Sequence, residues 1–209
     1  MTVASALAAF AIVALLMTLV PGVDTALILR SAMTLGRVEA IVAALGICTG
    51  VFIWGVAAAA GASAVLAASH VAYQILTYAG AAYLIFLGSQ MIYRSLKNKD
   101  VEAIKVDVPR SKWRNFTTGM VTNLLNPKIG VFYIATIPQF TPTGTHSLLM
   151  GVALAAVHVL LTLAWASVLI IGVKLAGRWL SSARAVSWMD RITGTVLVGF
   201  GVKVALSRP

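Results

Sequence analysis

The chain has 209 residues, 60% of them hydrophobic and only 11% charged, with a formal net charge of +10 and a mean hydropathy of +0.94. So little polar surface cannot cover a soluble globule of this size, which makes the chain an integral membrane protein. Its basic residues fall between apolar runs, as a topology signal does, and not on a nucleic-acid surface.

The first apolar run, Ser5 to Leu29, has no basic residue before it and continues past the length of a secretory core, so it reads as a retained first span. It is interrupted by Val20-Pro21-Gly22-Val23-Asp24. Pro21 removes a backbone donor, Gly22 loosens the chain, and Asp24 follows at a depth where charge is expensive. Asp24 is the one acid expected inside the hydrocarbon core. Two readings stand side by side: a partner for a substrate ammonium or a proton, or an N-cap for a helix restarting at Thr25-Ala26-Leu27.

Spans two and three follow from Ala40 to Ala62 and from Val71 to Tyr93. Gly46-x3-Gly50, with Gly55 beyond, lets span two approach a neighbour closely. The lone cysteine, Cys48, excludes an internal disulfide or a zinc–cysteine cluster and reads as a small core residue. The polar piece from Lys97 to Lys112 is too short for a domain and reads as a solvated linker.

Span four, Phe116 to Ile137, is broken in turn by Asn126-Pro127-Lys128. The break frees backbone groups, and Lys128 brings a positive charge to the start of a half-helix, where it needs a partner. In one reading Lys128 or the freed amides hold a carboxylate while Asp24 holds an ammonium. In the other Lys128 snorkels to an interface and Pro127 merely kinks the helix. Counting along ideal helices sets Asp24 nearer the cytoplasm than Lys128, which leaves Arg30 as an alternative anion partner.

Spans five and six run from Leu148 to Ile171 and from Ser187 to Leu206. His158, in span five, reads as a hydrogen-bonded packing residue in preference to a proton relay, and no histidine pair has metal-ligand spacing. Gly194, Gly199 and Gly201 offer close packing to span six, and Trp113, Trp179 and Trp188 flank the cytoplasmic ends of spans four to six.

Of the sixteen lysines and arginines, thirteen lie in the connections after spans one, three and five, and none in those after spans two and four. The positive-inside rule then puts both termini outside. Gly80 to Gly88 in span three is weakly similar to Gly194 to Gly201 in span six. The expected fold is therefore all-α and polytopic: six transmembrane helices as two inverted three-helix repeats, residues 1–95 and 115–209, joined by a cytoplasmic linker at 96–114. Helix breaks at corresponding places in two such halves point to a transporter's binding site, here Pro21, Gly22 and Asp24 facing Asn126, Pro127 and Lys128.

Rival classes are weaker. An intramembrane serine protease would need Ser63 to meet His158. A divalent-cation exporter would need more acids or sulfur ligands than the spans hold. There is no ATP-binding loop and no cofactor is implied, so a gradient or a partner must supply the energy. Nothing in the residues decides between a monomer and a homo-oligomer.

Taken together, Pro21-Gly22-Val23-Asp24-Thr25, Leu29-Arg30-Ser31, Gly36-Arg37 and Ala44-Leu45-Gly46 in the first half, with Gly80-Ala81-Ala82-Tyr83-Leu84, match a known pattern. Phe116-x2-Gly119-x3-Asn123-x2-Asn126-Pro127-Lys128, Pro138-Gln139-Phe140, Arg191-x2-Gly194 and Gly199-x-Gly201 continue it. In this order they resemble the LysE/RhtB family of amino-acid exporters, the homoserine and threonine efflux type. The resemblance implies a secondary transporter in the bacterial inner membrane that exports amino acids or their derivatives by proton antiport, with Asp24 and Asn126-Pro127-Lys128 on the path. Val23 stands where the family often has a second proline, which implies a gentler first break.

Overall fold

A backbone that leaves water has to pair its own amides and carbonyls, and a chain this apolar does so by coiling into helices. The computed structural model describes residues 1–97, 108, 111–142, 144–175 and 182–206, and among these the regular structure is entirely helical. The helices are α1 (Val3–Leu19), α2 (Val23–Thr34), α3 (Arg37–Ala68), α4 (His70–Leu96), α5 (Lys112–Leu124), α6 (Pro127–Thr136), α7 (Ser147–Ile171) and α8 (Ala183–Leu206), with a 3-10 turn at Pro138–Phe140 after α6. Most of the expected linker, and Trp179, lie outside the described residues.

Helices α3, α4 and α7 are each long and apolar enough to cross a bilayer, and α1 with α2 makes a fourth crossing if the bent pair is one span. Large apolar side chains at mid-helix, among them Ile12, Ile53, Ile75, Phe86 and Leu160, are exposed, as a lipid-facing surface requires. The chain is thus a multi-pass membrane protein. The pair α5 and α6 and the helix α8 are more polar. Asn123, Asn126 and Lys128 interrupt the pair, and α8 carries Arg184, Asp190, Arg191 and Lys203.

Both expected interruptions are real helix boundaries. Pro21 has no N–H to give Met17, so α1 stops, and α2 restarts when Ala26 N donates to Gly22 O at 2.9 Å. The two helices meet at 57°, so a single proline without a second at Val23 bends the path sharply. In the second interruption the Asn126 side chain caps α6 by accepting from Lys128 N at 3.1 Å, and Pro127 takes the first helical position. Between α2 and α3 the turn is made by Gly36 at φ 104°, a conformation that favours glycine.

Small residues set the packing. A Cβ on Gly46 would strike the Phe116 carbonyl, and one on Gly119 the Ala43 carbonyl, so α3 and α5 lie backbone to backbone and run the same way. Gly55 faces Ala155 and Gly151 faces Ala59, which sets α7 antiparallel to α3. Gly88 faces Gly194, and Gly201 faces Ala81 and Ile85, so α4 and α8 also pack antiparallel. The expected role of Gly199 is corrected: nothing lies within 4 Å of a Cβ there.

Candidate functional site

Each break leaves carbonyls without their usual partners, and the molecule supplies donors from elsewhere. Met17 O, orphaned by Pro21, accepts from Lys128 Nζ at 3.0 Å, and Val20 O accepts from the same ammonium at 3.4 Å. Lys128 thus lies at the negative end of α1, a favourable place for a cation. Leu124 O would ordinarily accept from Lys128 N, but that amide is turned to Asn126, and the indole of Trp54 donates to Leu124 O instead at 3.2 Å. Gly130 makes room for the indole: a Cβ there would come to 2.6 Å from the ring.

Asp24 lies in the first turn of α2, where a negative charge is favoured. Its carboxylate does not cap the helix, because Gly22 is the N-cap and no side-chain bond is made there. The capping reading is thereby corrected. Asp24 Oδ2 instead accepts from Asn123 Nδ2 at 2.9 Å and from Asn126 Nδ2 at 3.3 Å, which ties the two breaks together. Asp24 Oδ1 and Asn123 Oδ1 are buried and have no partner among the described residues.

A small cavity of about 50 Å³ separates the breaks, walled by Gly22, Asp24, Asn123, Asn126 and Lys128, and on the α7 side by His158, Thr162 and Trp165. That is room for a few waters, at roughly 10–15 Å³ each. Trp165 Nε1 is a third buried polar atom in these walls without a partner among the described residues. His158 is 1% exposed and pairs through Nδ1 with the Tyr133 hydroxyl at 3.0 Å, the packing role expected of it.

The structure therefore brings Gly22, Asp24, Asn126 and Lys128 to one cavity, with Pro21 shaping its edge. Pro127 is exposed on the outside of α6 and contributes through the backbone alone. Arg30 is exposed nearly two turns further along α2 and is absent from the cavity walls, so the structure does not bring it to the other site residues. Lys128 does not snorkel, since its ammonium is held inside the molecule by the α1 carbonyls. The difficulty of depth is met by Asn123, one turn before the second break, which reaches Asp24 directly.

Ser63 and His158 do not meet. Gly151 of α7 faces Ala59 of α3, so counting along antiparallel helices separates the two residues by about 16 Å along the bundle. Ser63 Oγ donates to Ala59 O within its own helix. No group of three His, Cys, Asp or Glu side chains comes together among the described residues. Sequence reasoning gave no role to Trp54, Asn123 or Trp165. For Trp165 the usable signal was depth, because an indole in mid-span departs from the interfacial habit of tryptophan.

The model of the LysE type translocator family matches residues 15–208. The membrane protein YrhP of Bacillus subtilis (strain 168) is 31% identical over 207 residues, covering 96% of this chain and 99% of that protein. The threonine efflux proteins of Escherichia coli (strain K12) and Salmonella typhimurium are 28% identical over 189 residues, 90% of this chain and 91% of each relative. No solved structure matches. Near-complete coverage by the family, together with a relative above 30% identity along its whole length, establishes that this chain belongs to the LysE type translocators.

Proposed function

We propose that the protein is a secondary transporter that exports amino acids or amino-acid derivatives of the homoserine, threonine or leucine type across the bacterial inner membrane, in exchange for protons. In this reading the chain crosses the membrane six times, as two inverted three-helix repeats with both termini outside. Family membership and the relatives named as threonine efflux proteins support the amino-acid cargo. The antiparallel facing of α3 on α7 and of α4 on α8 supports the inverted plan, since these are the like helices of the two halves.

The observation that carries the mechanism is the buried Oδ1 of Asp24, without a partner among the described residues, whose other oxygen is held by Asn123 and Asn126. A proton on Oδ1 neutralises the carboxylate. Without that proton the same oxygen is an anionic acceptor suited to a cargo ammonium, with the Trp165 N–H as a donor for the cargo carboxylate. Proton and ammonium then compete for one carboxylate oxygen, which is the requirement for exchange. The cavity has to widen for an amino acid to enter, and the broken helices, whose ends are held by side chains, are the elements that give way.

Excretion profiling tests this: cells are fed a panel of dipeptides, with and without the protein, and the amino acids appearing outside are identified. The expected result is faster release of one or a few small amino acids, abolished by Asp24→Asn in a variant that still inserts at normal levels. Normal release by that variant would sink the exchange mechanism, and identical profiles with and without the protein would sink the export reading.

A further inference from the structure

A second cavity of about 580 Å³ lies at the opposite end of α1 from the break, walled by the start of α4, the Pro138–Phe140 turn, the segment leading into α7 and the end of α8. It is cargo-sized, within the range of roughly 300–1,000 Å³ typical of small-molecule sites, whereas the cavity at the breaks holds only water. Between the two lies an aromatic plug. Phe10, Phe132 and Phe140 are fully buried, with Phe10 edge-on to Phe140 at 5.4 Å and Phe140 stacked on Phe200 at 4.7 Å. One side of the plug touches His158, 5.6 Å from Phe132, in the wall of the inner cavity; on the other side Phe140 and Phe200 line the large cavity.

The polar groups of this second cavity are mixed in a specific way. Lys203 and His70 lie in its wall, and no aspartate or glutamate among the described residues does. The hydroxyls of Thr141 and Thr145 donate inward, to Ile137 O at 2.8 Å and Pro142 O at 2.6 Å, which leaves their oxygen lone pairs as acceptors. Gln139, the middle residue of the Pro138-Gln139-Phe140 motif, is also in the wall, and both its amide atoms are buried behind that wall with no partner among the described residues. Such an amide costs about 1–3 kcal/mol for each polar group left unpaired, so a turn of the side chain towards a ligand in the cavity that gives and takes hydrogen bonds is favoured. Cationic and amide donors for a carboxylate, beside hydroxyl acceptors for an ammonium, suit a zwitterion.

We propose that this cavity is a second, release-side binding site for the exported amino acid, with Gln139 as its principal polar contact and the Phe10–Phe132–Phe140 plug as the barrier between it and the site at the breaks. The assignment rests on the export reading. Cargo passing the plug then exchanges the carboxylate of Asp24 for the neutral and cationic groups of the outer site, which favours its departure from the proton-carrying residue.

Single-cysteine labelling tests the site without needing transport. Ser147→Cys, in a Cys48→Ser background, is reacted in intact cells with a membrane-impermeant maleimide, with and without external L-threonine, L-leucine or L-lysine. At least one of these is expected to slow labelling by about tenfold when supplied at roughly ten times its Kd. The protection should persist with Asp24→Asn and vanish with Gln139→Leu. Equal labelling rates with and without all three, protection that survives Gln139→Leu, or no labelling from outside would each overturn the proposal. Because the protection is read in the Asp24→Asn variant too, it stands or falls separately from export itself.

Discussion

Pro21 acts here by what it lacks. Its missing N–H leaves Met17 O free, and Lys128 from the other half of the chain is drawn to that oxygen and to Val20 O, so the proline of one break fixes the charge of the other. Trp165 is the opposite case, a donor that no group among the described residues accepts. Replacing it with phenylalanine removes a buried unpaired N–H while keeping an aromatic ring. Trp165→Phe should leave the melting temperature in detergent unchanged or higher, yet raise the apparent KM for cargo by about tenfold, the loss of one hydrogen bond to a charged group at roughly 1.5 kcal/mol. A lower melting temperature with unchanged KM would mean that the indole serves packing alone. Asp24, Asn126 and Lys128 were legible in the sequence because polar residues in an apolar run have few innocent explanations. Trp165 was less so, since its depth departs from the interfacial habit of tryptophan but an aromatic in such a run is ordinarily core, and Asn123 showed only as one letter of a family pattern.

For the helices, glycine spacing decided more than hydropathy did. Gly46 was legible as a close-packing position, Gly119 as a family letter and Gly88 as the end of an internal likeness, but their partners were not, because a one-dimensional spacing names a face and leaves its neighbour open. The α4–α8 contact supplies a paired test. A side chain at Gly88 would meet the Gly194 carbonyl and Val198, so Gly88→Val should force the helices apart, with a cost of about 1–3 kcal/mol for overpacking. Gly199→Ala adds a methyl to open space one turn beyond Thr195 on α8 and should be neutral or slightly stabilising through helix propensity. Thermal unfolding of the purified variants reads both. Equal melting temperatures for the two would show that the glycine face is not what holds α4 to α8. The sharp bend of α1 on α2 belongs to this scale as well: the interruption was legible, its 57° angle was not, because that angle depends on what the freed ends find to bond with.

At the scale of the whole molecule, the described basic residues gather at one end. Arg37 opens α3, Arg94 and Lys97 close α4, Lys112 and Arg114 open α5, and Arg184 and Arg191 lie in the first turns of α8. The other end, where α3 gives way to α4 and the Pro138–Phe140 turn to α7, holds His70, His146 and Lys203. The pair α5 and α6 joins these ends: Gly119 lies beside Ala43 near the start of α3, and Pro138 O accepts from the Tyr73 hydroxyl at 3.1 Å near the start of α4. Such a path favours a full crossing over a re-entrant loop, although its polar residues keep it from reading as one by hydropathy. If the basic end faces the cytoplasm, as the positive-inside rule requires, the two ends should differ in access from outside. In a Cys48→Ser background, His146→Cys, exposed before α7, should react with an impermeant maleimide in intact cells, while Lys112→Cys, exposed at the start of α5, should react only after permeabilisation. The reverse pattern would invert the orientation and with it the direction of proton-driven export. Reaction of both from outside would put the two ends of α5 and α6 on one side and remove the inverted-repeat plan, because two oppositely oriented halves need an odd number of crossings each.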